Sequence, residues 1–374
     1  MMVWTGVGEC YGIPVSGDIA AAMVVDTFDR FIAGEDPHRV ETMFRRVYSA
    51  GFTQRPDPTM MAVFSGIEMA VWDILGKAAG EPVHQLIGGR FHDRLRTYTY
   101  LYPGPDGADV YHDPDAAAAR ALDYLELGFT AIKQDPTGPY SFQGGRELSL
   151  TELARSEANV AALLEAVGDR ADLLFGTHGQ MTTSSAIRSP AASNGSTRCG
   201  SKNRVRPIRW QQWGVAAATS IPVAAGSGLP SRGPSSISCS SRESRSSSPT
   251  WVEPGHLGDA QDRHPGRTVQ RPTRTAYLLC GPIAHAAAAH VAFASPNFLT
   301  SRRSRPRSTT PLSVGRSSGT PATCSPHPPG LAELDLDTVL AHPYSSGGRL
   351  HLEMTQSVVD SANTKLTPRT RLTH

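Results

Sequence analysis

Lysine is scarce in this chain: Lys77, Lys133, Lys202 and Lys365 are four among 36 basic residues. Arginine has GC-rich codons and lysine AT-rich ones, so the imbalance points to a GC-rich gene. Cysteine is sparse too. The five, Cys10, Cys199, Cys239, Cys280 and Cys324, are odd in number and widely spaced. No C-x-x-C pair occurs, which argues against a disulfide framework or a zinc site. No uninterrupted apolar run reaches the roughly 18 residues that a membrane helix needs. Met1 to Gly6 shows no basic region leading into an apolar stretch, so no signal peptide is visible. A net charge of +2 gives no general reason to expect a nucleic-acid partner. The expectation is a soluble cytoplasmic protein with no membrane and no nucleic acid among its partners. Its 374 residues suffice for one large domain or two ordinary ones. The hydrophobic share, 39%, is slightly low for a globular enzyme.

Residues 1–188 carry the patterns of folded protein. Asp18 to Ile32 has apolar residues at helical spacing, stopped by Gly34. Thr59 to Ala79 is a stronger helix with a wide apolar face: Met60, Met61, Val63, Phe64, Ile67, Ala70, Val71 and Ile74. Leu95 to Leu101 is strand-like, Asp115 to Leu127 helical, and Phe129 to Lys133 a short strand. Ser149 to Val167 is a helix in which Ser149 and Glu152 have the spacing of a capping box. Asp172 to Phe175 is a strand, and Thr182 to Arg188 opens a further helix. Strands alternating with helices from residue 95 onward predict a parallel α/β sheet, with a (β/α) barrel the natural closed form at this length.

The texture then changes. From Ser227 to Ser248, 11 of 22 residues are serine, and Ser301 to Ser318 is a similar mixture of Arg, Ser, Pro and Thr. Neither has a hydrophobic period, and residues 227–274 and 301–328 are expected to be irregular and loosely packed. Islands of ordinary protein lie between and beyond them: Ala216 to Gly226 with a strand, Cys280 to Leu299 with an alanine-rich helix and a strand, and Gly330 to Met354. One reading is a disordered Ser/Arg linker, even an RNA-associated one. The other is out-of-frame translation of a GC-rich gene. Regrouping the possible codons of Thr197 to Trp213 permits A-L-W-F-E-E-P-C-P-P-D-P-M-A-T-M. Ser189 to Ser196 permits L-A-R-R-L-E-R-F-D, which continues the helix before it. Gly226–Ser227 permits Glu, Thr250 to Gly255 permits D-L-G-R-T-G, and Ser318 to Pro329 permits W-x-x-G-Y-V-x-P-P. An amphipathic helix, a strand and paired carboxylates emerge from segments that otherwise have no pattern.

Several in-frame pieces carry a family resemblance. They are G-E-C-Y-G (Gly8 to Gly12), SGIEMAVWDILGKAAGEPVHQLIGG (Ser65 to Gly89), GFTAIKQDP (Gly128 to Pro136), FGTHGQ (Phe175 to Gln180), SIPVAAG, CGPIAHAAA, SPNFL and HPYSSGGRLHLEM. Together they resemble the mandelate racemase/muconate lactonizing group of the enolase superfamily, and within it the dehydratases of aldonic acids such as mannonate and galactonate. The resemblance implies an α/β fold, a (β/α)7β TIM-like barrel with an α+β capping domain. It places the cap at residues 1–95, the barrel at 96–335 and a C-terminal segment returning to the cap at 336–374. Residues 189–214, 227–274 and 301–328 are the apparent out-of-frame segments, expected to damage the barrel. Relatives begin some tens of residues earlier, so the first cap strand is expected to be truncated.

The implied activity is Mg2+-dependent dehydration of a small acid sugar, in an enzyme that forms homo-oligomers in intact relatives. A proton alpha to a carboxylate is very weakly acidic because its loss leaves a dianionic enediolate. Carboxylates at three strand ends hold Mg2+ against that charge, and a Lys or His takes the proton. A general acid then helps the beta hydroxyl leave. By resemblance, His178 is the acid/base histidine and Lys133 the catalytic or substrate-binding lysine. Asp135, Tyr11 and Gln180 are candidate substrate contacts, with Glu9 beside Tyr11 in the specificity loop. A further histidine base would fall near Arg274, where the other frame permits Pro-His. The expected metal positions are occupied by Gly176, Ser201 (with Lys202) and Ser227, so no intact metal site is expected and the chain as written is expected to be inactive. Without the resemblance, His178 reads as a turn residue, Lys133 as a snorkelling strand-end side chain, and Asp135, before Pro136, as part of a turn. His285 and His290, five apart on a helix, read as structural. The alternatives are a racemase, epimerase or cycloisomerase of the same superfamily, and a non-catalytic Ser/Arg-rich binding protein.

Overall fold

The computed structural model describes residues 3–10, 13, 15–54, 57–103, 108–138, 147–176, 181–189, 200–202, 223–225, 246–247, 281–296, 298, 301–302, 323–324 and 329–331. The N-terminal part is helical: α1 (Gly17–Phe31), α2 (Val40–Ala50), a 3-10 turn (Phe52–Gln54), α3 (Pro58–Ala79) and α4 (Val83–Leu86). α3 starts where Asp57 accepts hydrogen bonds from Thr59 N (2.9 Å) and Met60 N (3.3 Å), with Pro58 at its first position. It ends at Gly80, whose φ of 70° is left-handed. α3 is long and apolar enough to cross a membrane. It is instead a core helix: Met61, Val63, Phe64, Ile67, Val71 and Leu75 are buried against Met43, Phe44 and Val47 of α2. Fully burying side chains of this kind contributes about 1.5–3 kcal/mol each.

The extended segment 3–10 lies on α3 because glycines allow the backbones to touch. A Cβ on Gly8 would come within 1.8 Å of the Gly66 carbonyl oxygen, and one on Gly66 within 2.4 Å of Cys10 Sγ. Buried Asp73 ties the same region together. It accepts from Val7 N (3.0 Å) and Leu331 N (2.9 Å) and pairs with Lys77 (2.7 Å).

From residue 95 the strands alternate with helices: β1 (Leu95–Tyr100), α5 (Pro114–Glu126), β2 (Ala131–Gln134), α6 (Leu150–Val167), β3 (Asp172–Gly176), α7 (Thr183–Arg188) and β4 (Gly200–Lys202). β5 (Val223–Ala225), β6 (Ser246–Ser247), α8 (Pro282–Phe293), β7 (Ser301–Arg302) and β8 (Thr323–Cys324) follow. The sheet order is β6-β5-β4-β3-β2-β1-β7, every neighbour parallel, with β8 antiparallel to the start of β1. The architecture is the expected one, a TIM-like barrel sheet of strand–helix units carrying a capping region. α5 and α6 cover the sheet through a core of Ala117, Ala121, Phe129, Ile132, Val160, Leu163 and Phe175. The capping box that starts α6 is present in both directions: Ser149 N donates to Glu152 Oε2 (2.9 Å) and Glu152 N to Ser149 Oγ (3.2 Å).

Ser246–Ser247, Ser301–Arg302 and Thr323–Cys324 were expected to be irregular and are short strands instead. Backbone pairing to β5 and β1 holds them, and it needs no apolar alternation. The other residues of 190–222, 226–280 and 303–322, and the segment from 332 onward, lie outside the described residues. α2 is a helix not predicted individually from the sequence, although Val40, Met43, Phe44 and Val47 have helical spacing and all are buried.

Candidate active site

β2 sets alternate side chains on opposite faces of the sheet, as strand geometry requires. Gln134 faces outward into a buried polar clasp: its Nε2 donates to Val110 O (2.6 Å) and lies 3.2 Å from Asn159 Oδ1 of α6. Asn159 Nδ2 in turn donates to Tyr111 O (2.9 Å). This clasp fixes the end of β2. Lys133 and Asp135, on either side of Gln134, therefore share the other face, and both are buried (2% and 1% exposed). Lys133 Nζ sits 5.1 Å from the ring centroid of Tyr100, the last residue of β1. That distance is within cation–π range.

Gly176, the last residue of β3, faces the same cluster. A Cβ there would lie 2.0 Å from Asp135 Oδ1, 2.4 Å from Lys133 Cε and 2.8 Å from Lys133 Nζ. The volume that a β3 side chain would need is thus filled from β2. The strand-end lysine and Asp135 are brought together with Tyr100, and Tyr100 was not singled out from sequence. Its only signal was its place in the alternating L-R-T-Y-T-Y run.

His178 and Gln180 follow Gly176 by two and four residues and lie outside the described residues, as do Tyr11 and Ser227. Ser201 is in β4, where it pairs with Phe175, and Lys202 pairs with Gly176. Glu9 is held by the start of α8. Its carboxylate accepts from Gly281 N and from Ala284 N (3.2 Å), at the N-terminus of α8. Burial pushes its pKa above the usual value against the lowering effect of these backbone bonds. Sequence offered no local signal for this pairing, because the two partners are 272 positions apart.

His290 is structural, as expected. Its Nε2 lies 2.8 Å from Leu331 O, so Nε2 carries the proton, and Nδ1 accepts from His84 N (3.1 Å). His84 stacks on it with ring centroids 5.2 Å apart.

The described residues do not fit a hard divalent cation. Such an ion needs several oxygen ligands. Among the described residues no three His, Cys, Asp or Glu side chains are grouped to hold a metal. The β3 position has no side chain, and its space holds an ammonium group next to the single carboxylate of Asp135.

Comparison with known proteins places this architecture. Residues 4–88 match the family profile of the mandelate racemase/muconate lactonizing enzyme N-terminal domain. A D-gluconate dehydratase of Thermoproteus tenax is 33% identical over 158 residues, which are 42% of this chain and 30% of that protein. A D-galactonate dehydratase of Xanthomonas oryzae pv. oryzae is 34% identical over 155 residues, 40% of this chain and 36% of that protein. The matched part spans about a third of the length of these curated relatives. A solved mandelate racemase/muconate lactonizing enzyme from Sulfitobacter sp. superposes with a TM-score of 0.84 at 38% identity, over 94% of this chain and 89% of the other. One from Jannaschia sp. CCS1 gives 0.84 at 36% identity, over 93% and 91%. With that likeness running over nearly the whole of both chains, this chain belongs to the mandelate racemase/muconate lactonizing enzyme family of the enolase superfamily.

Proposed function

We propose that this chain descends from a dehydratase of small acid sugars and, as written, does not complete that site. The observation that carries the reading is the buried Lys133–Asp135 pair at the end of β2, facing the end of β3 from which His178 follows. The relatives named as D-gluconate and D-galactonate dehydratases support the substrate class. In the ancestral reaction Lys133 takes the proton alpha to the carboxylate or holds that carboxylate. His178 gives a proton to the departing beta hydroxyl, which leaves as water. The enol so formed becomes a 2-keto-3-deoxy acid. A racemase, epimerase or cycloisomerase would share the first step and lack the second.

The defect we propose is one of reading frame, in residues 189–214, 227–274 and 301–328. Within it, Ser201/Lys202 and Ser227 stand where the other frame permits glutamates. Residues 1–95 then form the cap, 96–335 the barrel, and 336–374 the segment returning to the cap. The intact ancestor is a soluble, cytoplasmic homo-oligomer that uses Mg2+. Two experiments test this. The gene's nucleotides must encode E-E-P in the alternative frame across Ser201 to Arg204. A frame-restored protein should form 2-keto-3-deoxy acids from D-gluconate or D-galactonate, and His178→Asn should slow it by at least about 100-fold. Near-normal turnover by His178→Asn would return that histidine to a turn role.

A further inference from the structure

α8 packs through small side chains. Ala284 and Ala287 meet Met69, Val83 and Leu331, and Ala289 and Ala292 meet Leu95. Each alanine buries little apolar area, so polar contacts carry a larger share of what holds this helix. Three of them converge on His290, which is fully buried, as is His84 beside it (0% and 2% exposed). Leu331 O only accepts, so His290 Nε2 donates to it over 2.8 Å and Nδ1 is left as a lone pair. That one lone pair receives His84 N (3.1 Å) and, also at 3.1 Å, His84 Nδ1, which therefore carries a proton. The neighbouring backbone is tied in as well: Val83 N donates to Gly330 O (3.1 Å) and Gly330 N to Glu81 O (3.1 Å). The neutral pair thus fastens α4 and residues 330–331 to α8. A further proton does not fit this arrangement. On His290 Nδ1 it would face two N–H donors and break both bonds. On His84 Nε2 it would create an imidazolium out of reach of water, which burial disfavours.

We propose that, independently of any substrate, His84 and His290 form an acid-released latch: neutral, they clamp α8 to α4 and to residues 330–331, and uptake of one proton frees α8 from both while α3 and the α5–α6 layer stay folded. Among the described residues, the charged and titratable groups around the pair are few. Arg90 and Glu81 flank α4 and act on His84 in opposite senses. His285 lies on α8 itself. On α3, Asp73 and Lys77 close on each other, and Asp73 also holds Leu331 N. β1 gives Leu95 to α8 and directs Arg96 to Asp172. At the far end of α8, His92 Nε2 lies 2.8 Å from Ser295 O. Glu9, at the start of α8, loses its contribution as pH rises, so its titration has the opposite sign.

Hydrogen exchange of the full chain, read by mass spectrometry on the segments carrying α4, α8, α3 and α6, tests the latch. The rates are first corrected for the intrinsic pH dependence of amide exchange. The opening equilibrium of α4 and α8 should then rise by about tenfold for each pH unit below the ordinary histidine value of 6.5, the slope of one bound proton. α3 and α6 should stay within about twofold. His290→Gln offers a donor and an acceptor with no proton to gain, so it should keep the protection seen at neutral pH and lose the slope. His84→Phe leaves the backbone donor in place and should lower the slope, which keeps the test decisive if His290→Gln does not fold. A flat corrected profile for α4 and α8 overturns the latch. So does opening of α3 and α6 in step with them, which is global acid unfolding. A His290→Gln protein with the wild-type slope places the responding group elsewhere and overturns it too.

Discussion

Lys133 occupies the place of a side chain that Gly176 does not have: its Cε and Nζ lie 2.4 Å and 2.8 Å from where a Gly176 β-carbon would be. Even one added methyl group must displace Lys133 or Asp135, and both are buried. Gly176→Ala should therefore destabilise the protein by about 1–3 kcal/mol, the usual cost of overpacking. Lys133→Ala should relieve part of that cost. A double-mutant cycle by denaturant unfolding should show coupling of at least about 0.5 kcal/mol. Strict additivity would mean that the two residues do not compete for this volume.

Glu9 joins the extended N-terminal segment to α8, and the bond has a defined pH dependence. Its folded pKa is raised above the usual 4.5 by burial, so the folded state binds its proton more tightly than the unfolded chain. Stability from this group is full below about 4.5 and is lost as pH rises through the folded value. Glu9→Gln, permanently neutral, should flatten that part of the pH–stability curve. Glu9→Ala leaves the backbone donors of α8 without this acceptor and should cost about 1–3 kcal/mol. Equal pH profiles for wild type and Glu9→Gln would contradict the assignment.

The His84–His290 stack behaves in the opposite sense. Burial is the first cause that holds the His84 pKa below its usual 6.5, with Arg90 adding to it and Glu81 opposing. The folded state therefore resists protonation, and stability present above about 6.5 is lost as pH falls toward the lowered value. Thermal unfolding midpoints should drop between pH 7 and 5.5, and substituting His84→Phe should remove much of that drop. A midpoint unchanged over this range in the wild type would show that the stack admits a proton freely.

Local signals made much of the fold legible. The capping spacing of Ser149 and Glu152, the apolar face of α3 and the strand at Lys133 are each written within one short segment. α2 was equally legible from Val40, Met43, Phe44 and Val47, yet it carries no side-chain cap to mark its start. The candidate site was only half legible. Lys133 and Asp135 stand out in A-I-K-Q-D, and Gly176 stands out as a glycine where the family resemblance implies Asp. That these residues share one volume depends on the register of β2 and β3, in which Lys133 pairs with Leu174. Tertiary contacts of that kind leave no mark on either segment. Glu9 and Gly281 show the same limit over a far longer separation. The Ser/Arg-rich strands are placed by backbone pairing, which residue type does not announce.

The central claim is that the written residues do not form a working enolase-type site. It is tested most directly by expressing this exact sequence with millimolar Mg2+, and measuring both 2-keto-3-deoxy acid formation from a panel of aldonic acids and the thermal unfolding transition. The account predicts no turnover above background and no rise in the midpoint on adding Mg2+. Turnover, or a cooperative transition raised by Mg2+ and not by NaCl of equal ionic strength, would show that carboxylates of this chain do gather a cation at the barrel mouth.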